Sequence, residues 1–208
     1  MPAPDTASAA TVYQLRVVLR QISPLIWRRL LISGATSLAG FHDILGVCFG
    51  WSDEHLHRFV VHGADYDAYA GDDLQRVRLV DLGLRRTERL VYDYDLGVLW
   101  RHDIRVEQIL TAEPSQPLPR CVGGRRAGPP EDCGGPWAFM ELSQPYHIVK
   151  AVTRTAQIIG TVLDDPTELG EHRAQLAALL PWLGLERFDR RAVNQALTGL
   201  THIERSAA

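Results

Sequence analysis

Along residues 12–32 apolar side chains recur at every second position: Tyr13, Leu15, Val17 and Leu19 alternate with Gln14, Arg16, Val18 and Arg20. That is the period of a strand with one buried face. Ser23-Pro24 interrupts the pattern and Leu25 to Ile32 resumes it. Two strands around a short connection are expected, the second carrying Trp27-Arg28-Arg29. The period then changes. Ser37 is placed as an N-cap, Leu38, Phe41, Ile44, Leu45 and Cys48 fall on one face of a helix, and Gly50 is placed to end it. Cys48, on that apolar face, reads as a small buried hydrophobe.

Trp51 to His62 reads as a further strand on which His55 and His57, two apart, share a face with Phe59 and Val61. Residues 63–88, rich in Gly and Asp, predict a long hairpin-like excursion with an apolar patch at Val77, Leu79 and Leu82. Leu90, Tyr92 and Tyr94 mark the next strand. Trp100, His102, Ile104 and Val106 mark another, with Trp100 and His102 on one face. Asp95-Leu96-Gly97-Val98 between them is the tight turn of an antiparallel hairpin. From Tyr146 on the spacing is helical: Ile148, Val149 and Val152, then Ile158, Ile159 and Val162. A helix over Thr167–Leu180, a stop at Gly184, and a last short helix capped by Asp189 and carrying Val193, Ala196, Leu197 and Leu200 complete the pattern.

Strands first and helices last predict an α+β class: a mainly antiparallel sheet from residues 12–110 with helices from 137–200 packed on it. One domain over 12–200 is expected, between tails at 1–11 and 201–208. At 208 residues and 46% hydrophobic, the chain can bury a sizeable core. The net charge of −3 disfavours a general nucleic-acid binder. Only one of the 22 basic residues, Lys150, is not arginine. Three cysteines make no secreted disulfide framework, the first ten residues have neither the basic nor the apolar region of a signal peptide, and no apolar run suits a membrane span. A cytoplasmic protein without a membrane partner is expected.

The densest chemistry lies between Pro119 and Met140. Pro129-Pro130 stiffens the approach to Glu131-Asp132-Cys133, Gly134-Gly135 permits positive φ, and Pro136 suits the first turn of a helix starting near Trp137. Several readings of this stretch stand side by side. It is a rigid loop tied down by Arg125, Arg126, Glu131 and Asp132. Or it contributes to a metal site, zinc being the natural ion, in which Cys121 and Cys133 join His55, His57 or His102. Or Cys133 is a nucleophile with His57 or His102 as base. A Cys121–Cys133 disulfide and an anion site on the Gly-Gly amides with Arg125 complete the set. No phosphate-binding loop, GxSxG elbow or HExxH helix is present.

The order ISPLIWRRLLI, FHDILGVCFGWSDEHLHRF, YDYDLGVLWRHDIRVE and CVGGRRAGPPEDCGGPWAF resembles the plasmid pRiA4b ORF-3-like family, also described as the TnpR passenger protein of an insertion element. PPEDCGG at 129–135 is its most specific piece. The resemblance covers about Tyr13 to Leu200 and implies a small cytoplasmic bacterial α+β protein associated with mobile elements, without an established activity. The matching positions are Trp27, Arg28, Trp51, His55, His57, Tyr94, Gly97, Trp100, His102, Cys121, Arg125, Glu131, Asp132 and Cys133. Two departures stand out. Gly128 occupies the place of a third cysteine, and Val98 that of a second turn carboxylate. A serine resolvase is not implied, because no serine sits in an arginine cluster and no basic DNA-binding arm follows.

The expected function is a non-enzymatic ligand- or partner-binding domain of mobile-element type. Its candidate surface is Trp27, Arg28, His55, His57, Tyr94, Asp95, Trp100, His102, Arg125, Glu131 and Asp132, and its candidate metal ligands are Cys121, Cys133, His55 and His57. The alternatives are a metal- or thiol-dependent enzyme using Cys133, and a DNA-binding accessory protein using the Arg pairs at 28–29, 85–86, 125–126 and 190–191.

Overall fold

The computed structural model describes residues 11–67, 74–113 and 116–207. Seven strands form one antiparallel sheet: β1 (Thr11–Leu19), β2 (Trp27–Ser33), β3 (His57–Val61), β4 (Ala64–Asp67), β5 (Arg89–Tyr94), β6 (Trp100–Thr111) and β7 (Arg120–Arg125). Their order across the sheet is β4-β3-β5-β6-β1-β2-β7. Five helices accompany it: α1 (Leu38–Phe49), α2 (Gly135–Leu142), α3 (Pro145–Asp164), α4 (Leu169–Leu183) and α5 (Arg190–Ala207). The expected α+β architecture is therefore present.

The alternation of β1 is realised as read. Leu15, Val17 and Leu19 are fully buried, while Gln14, Arg16 and Val18 stay partly exposed on the other face. Helix α1 covers the buried face with Leu38, Phe41, Ile44, Leu45, Cys48 and Phe49. Its ends are those the residues dictate. Ser37 Oγ accepts from Gly40 N–H, and Gly50, at φ 80°, donates its N–H to Gly46 O. A serine cap of this kind contributes about 1 kcal/mol. The β5–β6 hairpin turns at Asp95, whose carboxylate accepts from Gly97 N–H.

The helical end of the chain follows its signals with shifted boundaries. A 3₁₀ turn at Pro166–Glu168 precedes α4, so the helix expected over 167–180 begins at Leu169 and runs to Leu183, with Gly184 as its C-cap. Asp189 accepts from the N–H groups of Arg191 and Ala192 and starts α5. That helix is not short: it continues through the residues expected as a tail. It clamps β7 through Asn194, which accepts from Cys121 N–H and donates to Cys121 O. The excursion at 63–88 contains the β3–β4 hairpin and a 3₁₀ turn at Leu79–Leu82, while its residues 68–73, like the expected tail at 1–10, lie outside the described residues.

One strand assignment needs correction. Trp51 to Leu56 is not extended ladder, and only His57–Val61 is. The partner strand explains this, because β5 ends at Tyr94, which pairs with His57, so residues before His57 have nothing to bond. Trp51 instead turns inward and donates from Nε1 to Pro129 O, and Asp53 takes a left-handed φ of 67°. Because the segment is irregular, the two-residue period does not apply, and His55 and His57 do not share a strand face.

Candidate functional site

The site forms where α1, the Trp51–His57 segment, the ends of β5 and β6 and the 126–134 loop converge. The loop is pinned from two sides. Glu131 accepts from Ser52 N–H (2.8 Å), Ser52 Oγ (2.7 Å) and Tyr94 OH (2.5 Å), and Asp132 Oδ1 lies 2.9 Å from His55 Nε2. Burial works to raise the Glu131 carboxyl, but these hydrogen bonds outweigh it and hold it below the usual range. Trp51 stacks on Tyr94 at 4.7 Å and lies 5.9 Å from Trp100, filling the space between loop and sheet. His55 also approaches Asp95 (3.8 Å) and meets Tyr94 edge-on. His55, Tyr94, Asp95, Glu131 and Asp132, all singled out from the sequence, are thus brought together.

Beside them lies a cluster of which the sequence singled out only His57, and not His42 or Asp53. His42, on α1 and 4% exposed, stacks on His57 with ring centroids 3.5 Å apart and planes 6° from parallel. His42 Nδ1 is 2.6 Å from Tyr92 OH, and its Nε2 contacts the Asp53 carboxylate. Ligand atoms of His42, Asp53 and His57 all lie within 4.8 Å of one another, the sole such group of three among the described residues. His57 Nε2 is buried without a hydrogen-bond partner. Burial, with His42 alongside, pushes the His57 imidazole down to about 4, so it is neutral at pH 7, the form that ligates metal. Asp53 is 62% exposed at its side chain and opens the cluster to solvent.

A signal for His42 was present in the sequence. It falls four residues after Leu38 and three before Leu45, inside the apolar stripe of the helix, where a titratable side chain needs a reason. Asp53 carried no comparable mark.

Other expected residues go elsewhere. The cysteine-based metal set is corrected: Cys121 lies on the core face of β7 opposite Leu30, with Sγ 3.3 Å from Gly123 O, and joins neither histidine. Cys133 is half-buried, and burial raises its thiol to about 11, so it is neither a ready ligand nor a ready nucleophile. All three cysteines are free, so no Cys121–Cys133 bridge exists. Arg28 is 1% exposed and serves the core. Its guanidinium donates to the carbonyls of Cys48, Trp27 and Arg125 and lies between the rings of Phe49 and Phe188. Trp27 points to the opposite face of the sheet. Arg125 is exposed, and in tying the loop down its neighbour Arg126 does the work, paired with Glu186 at 2.7 Å.

Trp100 and His102 share the buried face of β6, and Trp100 backs the site. His102 is sealed behind it, edge-on to Phe49 and Trp51, with Nδ1 3.3 Å from Tyr92 O. Burial pushes it down to about 3. Because its folded value lies below the ordinary 6.5, the unfolded chain binds the extra proton between those limits, and stability falls as pH drops from about 6.5 towards 3. His102→Leu should flatten the pH dependence of the urea midpoint over that window, and an unchanged slope contradicts the assignment.

Comparison with known proteins agrees with this architecture. Residues 11–196 match a family model described as plasmid pRiA4b ORF-3-like protein. An uncharacterized protein of Sinorhizobium fredii, y4hQ, is 31% identical over 152 residues, 66% of this chain and 76% of the relative. The crystal structure of a protein of unknown function, MM3350 from Methanosarcina mazei, aligns with a TM-score of 0.63 at 26% identity, covering 88% of this chain and 97% of that one.

Proposed function

The chain belongs to the plasmid pRiA4b ORF-3-like family, and from that premise we propose a non-enzymatic ligand-binding domain whose ligand is a divalent transition-metal ion held by His42, Asp53 and His57. The observation that carries this reading is the approach of two imidazole nitrogens and a carboxylate oxygen to within 4.8 Å of one another, with the Nε2 of His57 buried and unpaired. Leaving such a nitrogen without a partner costs about 1–3 kcal/mol, which a bound cation would recover. Two imidazoles and one carboxylate suit zinc, cobalt, nickel or ferrous iron better than calcium or magnesium, which prefer all-oxygen shells. Tyr92 OH can accept from Nδ1–H of His42, the tautomer that leaves Nε2 to ligate. The ion would supply positive charge with open coordination positions towards the solvent side of Asp53.

Holding rather than turnover is favoured by the neighbouring groups. Glu131, the obvious base, is committed to three hydrogen bonds, and the Cys133 thiol stays protonated at neutral pH. A mobile-element setting is part of the reading, supported by the plasmid in the family's description. A cytoplasmic location is part of it too, supported by three unpaired cysteines. No helix of the described residues is long and apolar enough to cross a membrane.

Cobalt is the informative probe. Added to tag-free protein stripped with chelator, Co²⁺ should give visible ligand-field bands without thiolate charge transfer. Asp53→Asn and His57→Ala should weaken binding by at least about 100-fold, while Cys121→Ser and Cys133→Ser leave the spectrum intact. Bands that require a cysteine, or no bands at all, overturn the reading.

A further inference from the structure

The face of the sheet turned away from α1 carries an unusual row. Strand register places Arg29 opposite Arg16, Arg16 opposite Arg105, and Arg105 opposite Arg89. Four arginines therefore stand side by side across β2, β1, β6 and β5. At 4.7–4.9 Å per strand the row is about 14 Å long. Like charges directly opposite one another on a sheet are destabilising, so such a row calls for counter-charge.

The face does not supply enough of it. Glu107 is held by Arg29 at 2.6 and 2.9 Å, Asp103 pairs with Arg20, and Asp93 is shared by Arg58 and Arg101. Among the described residues Arg89 and Arg105 form no ion pair, and Arg16, which shares the field of Glu107 with Arg29, keeps an Nε without a hydrogen-bond partner. Arg86 lies beside them, and with Gln14, Arg29, Arg105 and the Arg29-paired carboxylate of Glu107 it lines an open hollow of roughly 490 Å³. Next to the row stands Trp27, its ring flanked by the guanidiniums of Arg16 (5.3 Å) and Arg29 (5.5 Å). The indole lies over Gly123 on β7, where a Cβ would come to 3.4 Å from the ring.

We infer that this face binds single-stranded nucleic acid, with the arginine row along the phosphates and Trp27 as a stacking platform. Guanidiniums match phosphate geometry, and an aromatic ring among them accepts any base. A sheet face several strands wide is broader than a duplex groove, which favours a single strand. The overall charge of −3 makes the attraction local and therefore strongly salt-dependent. The surface is separate from the His42–His57 cluster, which lies on the other face under α1.

Fluorescence anisotropy with a labelled oligothymidylate about 15 nucleotides long tests this. Binding should be clear at about 50 mM salt and fall steeply towards 200 mM. Arg89→Ala with Arg105→Ala, both exposed positions, should lower the salt slope by about 1.4 and the affinity at least tenfold. Trp27→Ala should weaken the oligonucleotide by about 5- to 150-fold while leaving inorganic polyphosphate unaffected. Chelator should change nothing, which separates the result from the metal reading. Absence of binding, indifference to the arginine pair, or a duplex bound as tightly as the single strand overturns the inference.

Discussion

Gly128→Ala should lower the unfolding free energy by about 3 kcal/mol, read as a drop in urea midpoint. The reason is backbone contact, not backbone conformation. A Cβ at 128 would sit 2.0 Å from Phe49 O and 2.8 Å from its carbonyl carbon. Neither atom belongs to a side chain that can swing aside, so the loop or the end of α1 must move. Moving the loop strains the Trp51 bond to Pro129 O and the Glu131 contacts to Ser52 and Tyr94, so the near-ultraviolet dichroism of the aromatic cluster should change as well. An alanine variant of unchanged stability contradicts this packing.

Replacing Arg28 should be at least as damaging. The side chain is buried without a carboxylate partner, yet three carbonyl oxygens depend on it and two aromatic rings enclose it. Burial lowers its own value to about 10, so it remains charged at neutral pH. Arg28→Ala should cost about 4 kcal/mol through unsatisfied carbonyls and lost packing. Arg28→Lys should recover little, because an ammonium lacks the planar fork that reaches several acceptors and stacks between rings. A lysine variant within about 0.5 kcal/mol of the parent in a denaturant titration would show that charge alone suffices there.

These two positions show what the sequence made legible and what it did not. Local chemistry was readable: the alternation of Tyr13 to Leu19, the Ser37 and Gly50 caps, the Asp95–Gly97 turn and the Asp189 cap are each decided within a few residues. Long-range placement was less so. Arg28 has the parity of Ile26, Leu30 and Ile32, so its burial was implicit in the strand period, but one arginine directly before another reads as surface. The Trp51–Leu56 segment looked extended because it leads into the alternation of His57, Phe59 and Val61, whereas β5 stops at Tyr94 and leaves it unpaired. Cys121 and Cys133 attracted attention as thiols, but the register of β7 turns one into the core, while the other sits half-buried with its thiol raised by burial. The histidine that completes the cluster was concealed in the apolar stripe of α1.

The metal site proposed at His42, Asp53 and His57 can be assayed by its content. Elemental analysis of tag-free protein, dialysed against zinc and then against metal-free buffer, tests it most directly. One equivalent of zinc should remain with the parent protein, and close to none with Asp53→Asn/His57→Ala carrying all three cysteines. Loss of zinc from the parent, or full retention by that double variant, would contradict it.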